Sequence, residues 1–178
     1  MIYIYLLLFM FPSQSKSLYE FNSSAELNNW KIVNDGVMGG LSQSRVDYNK
    51  EKNTMRFMGY VSLENYGGFA STRSIPKDYK IKGYKGLDIK VKGDGKRYKF
   101  RIRTNDNFDG AAYTINFDTE AGEWQTFYIP FEDMEATFRG RRLEGYPALK
   151  ASAIRQLGIL IADKQTGNFK LEIDWIKA

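Results

Sequence analysis

Neither cysteine nor histidine occurs anywhere in the 178 residues. Their absence excludes thiolate nucleophiles, Cys/His zinc sites, Ser-His-Asp triads and imidazole acid–base chemistry near neutral pH. Disulfides are excluded with them, so the fold has to be held by its core alone. The chain also lacks any block of five or six like charges. Its net charge of +5 is spread along a sequence in which basic and acidic residues are mixed. That distribution describes a solvated surface and gives no case for a nucleic-acid partner. No internal repeat, no linker and no nucleophile motif is visible. These absences leave hydrolysis by paired carboxylates or catalysis through an oxygen-ligated metal as the open enzyme classes, and the reading favoured over them is a binding protein that is not an enzyme and needs no cofactor.

What is present is apolar and aromatic. Hydrophobic residues make up 43% of the chain and aromatic residues 15%, with twelve Tyr and twelve Phe. This is enough to bury a full core in one domain, and it suits half-buried strands better than helices. Residues Met1 to Phe11 form an unbroken apolar run too short to span a bilayer as a helix. A Ser- and Lys-containing stretch follows and ends in Ser15-Lys-Ser17, a small-x-small pattern. The layout predicts a signal peptide or N-terminal anchor over residues 1–17, cleavage near Ser17, and an exported protein of the periplasm, cell envelope or extracellular space. Membrane contact would come only through that segment if it stays uncleaved.

From Leu18 to Ala178 the main signal is alternation of apolar and polar residues, the two-residue period of strands. Met55, Phe57, Val61 and Leu63 share one face of a predicted strand. Leu87, Ile89 and Val91 do the same, as do Tyr98, Phe100 and Ile102, and Tyr113, Ile115 and Phe117. Phe169, Leu171, Ile173 and Trp175 predict a last strand with Trp175 in the core. Turn signals separate them at Asn65 to Gly68, Lys92 to Gly95, Asn105 to Gly110, Glu120 to Gly122 and Thr166 to Asn168. Short strands and turns without helical periodicity predict an all-β, antiparallel β-sandwich, with short helical turns after Phe21 and around Ala148 to Arg155. Ile154 to Ala162 is apolar on both faces and reads as a central strand. Trp124 to Phe131 carries Pro130 and reads as a strand ending at an edge or bend.

Several stretches then resemble one family. Asn34-Asp-Gly-Val-Met-Gly-Gly-Leu-Ser42 after Trp30 is similar to the opening signature of the complex I intermediate-associated protein 30 family. Gly67-Gly-Phe-Ala-Ser71-x-Arg73, Gly122-Glu-Trp-Gln-Thr126, Phe138-Arg-Gly140 and Gly158-Ile-Leu-Ile-Ala-Asp-Lys164 follow in the matching order. The resemblance covers residues 18–178. It implies a jelly roll of the galactose-binding-like type and a chaperone-like, assembly-type domain that binds a protein partner, with no catalysis. The architecture is shared with carbohydrate-binding modules, so a glycan is the alternative ligand.

The candidate ligand-binding residues fall into three groups. Asn34 and Asp35 lie in a Gly-rich loop that could offer backbone N–H groups and a carboxylate to a ligand, or simply order a turn. Arg73, Arg101 and Arg103 sit on polar strand faces and Arg139 shares a loop with Arg141 and Arg142. Guanidinium forks suit carboxylates, phosphates and sugar hydroxyls, although pairing with Glu172 and Asp174 would leave them structural. Trp124 is out of phase with Phe127 and Ile129, so it and Tyr128 form a candidate stacking platform. Convergence of Trp124 and Tyr128 with Arg101 and Arg103 would make a sugar or peptide groove. Glu20, Asp163 and Asp174 are the one oxygen set to weigh for a calcium ion, but no motif supports a metal.

Overall fold

The computed structural model describes residues 15–178, and the leader expected over residues 1–17 falls mostly outside them. Thirteen strands follow one another: β1 (Ser17–Tyr19), β2 (Trp30–Ile32), β3 (Gln43–Asn49), β4 (Thr54–Val61), β5 (Ala70–Ser74), β6 (Gly86–Lys92) and β7 (Arg97–Arg103). They continue as β8 (Ala112–Asp118), β9 (Trp124–Pro130), β10 (Glu135–Phe138), β11 (Arg141–Arg142), β12 (Gln156–Ile161) and β13 (Gly167–Lys177). One sheet has the order β3-β4-β13-β6-β9, with β1 added against β13. The other has the order β11-β10-β8-β7-β12-β5-β2. All pairings between these strands are antiparallel. The expected short helical turns are 3₁₀ turns at Ser24–Asn29 and Ala151–Ala153.

The sheets close on each other through the apolar faces that alternation marked. Met55, Phe57, Leu87, Ile89, Leu171 and Ile173 come from one sheet and Tyr98, Phe100, Ile102, Leu157 and Ile159 from the other. Each of these side chains is fully buried, and each large one contributes roughly 1.5–3 kcal/mol relative to exposure. The last strand departs from simple alternation. Between Ile173 and Ile176 its register against β6 shifts, so that Asp174 and Trp175 stand against Lys90 alone. Such a bulge reverses the phase of the residues beyond it. Ile176 enters the core, and Trp175, expected there, is only half-buried with Lys177 over its ring.

Strand β12 lies between β7 and β5, as its two apolar faces required. Strand β9 forms one edge of its sheet, where Pro130 costs no ladder bond. At the opposite end of the chain, the Lys16 N–H donates to the Ala178 carbonyl and the Ala178 N–H returns a bond to Lys16. Lys16, just before β1, and Ala178 are thereby fastened together.

Candidate functional site

Strands β5, β12, β7, β8 and β10 turn one face to the core and the other outward. The outward face forms a groove of about 710 Å³. Register places its central residues. Gly158 of β12 stands opposite Arg73 of β5 on one side and Arg101 of β7 on the other, and Arg101 in turn faces Thr114 of β8. The next row holds Gln156 opposite Arg103. Three of the expected arginines therefore converge on one sheet face, and the strand between Arg73 and Arg101 carries only a hydrogen at that point.

These guanidinium groups are poorly neutralised. Arg73 donates to the Phe108 carbonyl at 2.7 Å and its cation lies 4.7 Å from the centre of the Phe108 ring. Arg103 donates to the Gly110 carbonyl at 2.7 Å. Arg101 has no such bond, and its buried Nε lacks any hydrogen-bond partner. The two carboxylates of the groove are already engaged, Asp109 with Arg139 at 2.9 Å and Asp163 with Lys99 at 2.7 Å. Burial, with repulsion from Arg103, brings Arg73 down to about 10. Burial, with repulsion from Arg103 and Arg73, does the same to Arg101, to about 10. Arg103 is also lowered, chiefly by burial. Three like charges are thus gathered on one partly desolvated face, with Asp109 the one carboxylate whose attraction reaches Arg73 and Arg103.

Of the other candidates only Arg139 joins this groove. Arg139 reaches the groove rim from the turn after β10, but Arg141 and Arg142 form a hairpin strand with β10, and Arg142 pairs with Glu135. Trp124 and Tyr128 belong to β9 in the other sheet, 37% and 56% exposed, with Lys90 5.5 Å from the Trp124 ring centre. They do not converge with Arg101 and Arg103. Glu172 does not pair with the arginines either. It is buried in β13, where it accepts from Asn49 and from Thr54, each at 2.6 Å. Glu20, Asp163 and Asp174 are each drawn to a different lysine, and no group of three carboxylates suited to a metal occurs among the described residues.

Asn34 and Asp35 serve the loop itself. Asp35 is wholly buried and accepts four bonds: from the Ser42 N–H at 2.9 Å, the Ser42 hydroxyl at 2.5 Å, the Gly68 N–H at 2.6 Å and the Phe69 N–H at 3.1 Å. Asn34 accepts from the Ser44 hydroxyl at 2.7 Å. Two glycines of the loops are small because Asp35 is there. A Cβ on Gly40 would stand 2.4 Å from the Asp35 Cγ, and one on Gly67 would stand 2.7 Å from Oδ2. Gly40→Ala is expected to lower stability by about 1–3 kcal/mol, as overpacking does, read as an earlier midpoint in urea unfolding. The clamp holds up a rim of exposed apolar side chains at one end of the groove, including Val37, Met38 and Tyr66. Val37, Met38 and Gly158 stand inside stretches that marked the family resemblance, but nothing local in the sequence assigns them, or Tyr66, to a groove.

Comparison with known proteins now bears on the same architecture. In three dimensions the chain is similar to a family 11 carbohydrate-binding module from Clostridium thermocellum in complex with a β-1,3-1,4-mixed-linked tetrasaccharide. The TM-score is 0.66 at 18% identity, over 92% of this chain and 94% of that one. An agarase covers 92% of this chain with 24% of its own length, at a TM-score of 0.58 and 12% identity. At these identities the likeness shows the fold, a jelly-roll β-sandwich. In sequence, an uncharacterized protein of Schizosaccharomyces pombe is 31% identical over 168 residues, covering 84% of this chain and 77% of its own. The mouse mitochondrial complex I intermediate-associated protein 30 is 26% identical over 182 residues, covering 92% of this chain and 56% of that protein. The chain thus spans a little over half the length of this mitochondrial relative.

The expectation of export is corrected by these relatives. Those of mouse, Caenorhabditis briggsae, Drosophila melanogaster and Neurospora crassa are named as mitochondrial, which points to the mitochondrion. The expectation rests on an apolar run and a small-x-small pattern, without the basic n-region that a signal peptide carries. The model for Complex I intermediate-associated protein 30 matches residues 19–173, and on that match this chain belongs to the complex I intermediate-associated protein 30 family.

Proposed function

We propose that the domain is a non-enzymatic, chaperone-like module of complex I assembly that holds a protein partner against the arginine groove of its second sheet. The observation that carries this reading is the outward row Arg73–Gly158–Arg101, unneutralised on an open sheet face, in a chain of this family. The groove offers binding groups and no reaction machinery. Of its hydroxyls, those of Thr114 and Thr137 bond each other at 3.0 Å and those of Ser71 and Thr72 donate to the Val33 and Lys31 carbonyls, while both of its carboxylates are held in ion pairs. Neither a nucleophile with an adjacent base nor a free acid–base pair faces the space.

A glycan fits the same face less well. Sugar rings stack on open aromatic faces, and two of the rings at this rim, Phe108 and Phe138, already carry cations, which leaves the exposed Tyr66 as the open one. Arg73 covers Phe108, and Arg139 lies 5.1 Å from the ring centre of Phe138. The test is site-specific photo-crosslinking in mitochondria of the source cells, with benzoylphenylalanine in place of Phe108 and, for comparison, of Lys50 in the turn after β3. An adduct between the Phe108 position and a complex I subunit or a protein of its assembly intermediates, absent from the Lys50 position, is expected. Equal adducts at both positions, or groove-dependent retention on a mixed-linkage glucan column without a protein adduct, would overturn the proposal.

A further inference from the structure

The charge balance and spacing of the groove say more about what lies in it, granted that its occupant is a protein. Five cations line it: Arg73, Lys99, Arg101, Arg103 and Arg139. Asp109 and Asp163 are the only carboxylates among its lining residues, an excess of three positive charges. Arg73 and Arg101 are two strand spacings apart, roughly 10 Å, across a floor formed by Gly158. Arg103 lies two residues beyond Arg101 on the same strand face, roughly 7 Å along β7. That second distance equals the separation of side chains i and i+2 on one face of an extended peptide.

The rim adds an apolar requirement. Val37, Met38 and Tyr66 border the groove near one end and Phe108 borders it near Arg73, with Tyr66 at 99% and Phe108 at 66% exposed. An inorganic anion or a lone phosphate would satisfy the arginines and leave these side chains in water. A polypeptide with alternating carboxylates and apolar neighbours would cover both. Arginine pairs carboxylates in a planar, two-bond geometry, and Arg101 retains the donors to make such a fork.

We infer that the groove takes an extended acidic segment of its protein partner. One Asp or Glu carboxylate lies over Gly158 between Arg73 and Arg101, a second two residues along reaches Arg103, and apolar flanks rest on Tyr66 and Phe108. The inference rests on the protein-partner reading above.

The test is fluorescence anisotropy of the full chain with a labelled peptide Leu-Glu-Ser-Glu-Leu and its counterpart Leu-Gln-Ser-Gln-Leu. The Glu peptide is expected to bind about tenfold or more tightly than the Gln peptide. Arg101→Gln should remove that preference, Lys50→Gln should retain it, and added salt should weaken it. Arg101 makes no bond that the fold uses, so its variant stays folded by circular dichroism. Arg73→Gln gives a second, independent reduction. Equal affinity for the two peptides, an unchanged preference in Arg101→Gln, or displacement by equimolar inorganic phosphate would each overturn the acidic segment. If the Phe108 crosslink persists in that event, the protein-partner reading stands. If peptide discrimination holds and the complex I adduct is missing, it is the assembly reading that falls.

Discussion

Asp35→Ala is expected to lower the unfolding free energy by about 3–5 kcal/mol and the thermal midpoint by roughly 10 °C. The size follows from the number of donors left behind. The Ser42 N–H and hydroxyl, the Gly68 N–H and the Phe69 N–H all lose their acceptor in a buried site. A hydrogen bond to a charged group contributes roughly 1.5–3 kcal/mol, and an orphaned buried donor carries its desolvation cost in addition. Gly40 and Gly67, shaped to fit the carboxylate, would then border a void. Asp35→Asn keeps the volume but turns an NH₂ toward N–H donors, so a smaller loss is expected.

The same carboxylate sets an acid limit on stability. Burial by itself raises the Asp35 pKa, but the bonds from Ser42, Gly68 and Phe69 outweigh it and bring the group below its ordinary value. The unfolded chain titrates near 3.9. A carboxyl depressed in the folded state contributes its full stability above the unfolded value and loses it as pH falls through the folded one. Urea unfolding at pH 7 and pH 3 should therefore show the wild type losing stability that the Asp35→Ala variant has already lost, so that the two curves approach each other in acid. Parallel curves would remove Asp35 from the account.

How much of this was legible in the sequence depends on the range of the interaction. Tyr98, Phe100 and Ile102 were assigned to the core because alternation is local and β7 is regular across that span. Trp175 was misplaced because the bulge at Asp174 is set by pairing with β6, more than 80 residues earlier in the chain. In the site, the polar faces of Arg73, Arg101 and Arg103 were readable strand by strand. Their convergence was not, since it depends on β12 inserting between β5 and β7. Trp124 and Tyr128 were grouped with the arginines on residue type alone, and sheet order puts them on β9 in the other sheet. The Asn34–Ser42 loop announced a turn through its glycines. What it fastens to, the Gly68–Phe69 backbone, is 33 and 34 residues away.

Arg101→Met is expected to make the protein more stable and less able to bind. Arg101 is half-buried, with a buried, unpartnered Nε beside two further guanidinium groups. The penalty is present at every pH below about 10, the value to which burial and its neighbours bring it, because the cation persists throughout that range. Methionine keeps an apolar stem of similar length and removes the charge, so a gain of about 1–2 kcal/mol is expected, or roughly 4 °C in the thermal midpoint. Arg97→Met, by contrast, breaks an exposed ion pair with Asp118 at 2.7 Å and should change the midpoint little. The Arg101→Met variant should at the same time lose the Phe108 crosslink and the preference for the Glu peptide. Stability gained with binding lost is the signature of charges held in place for a ligand. If Arg101→Met instead lowers the midpoint, the arginine is a packing element of the sheet and the groove loses its central group. Scanning calorimetry of the two variants beside the wild type separates those outcomes before any partner is identified.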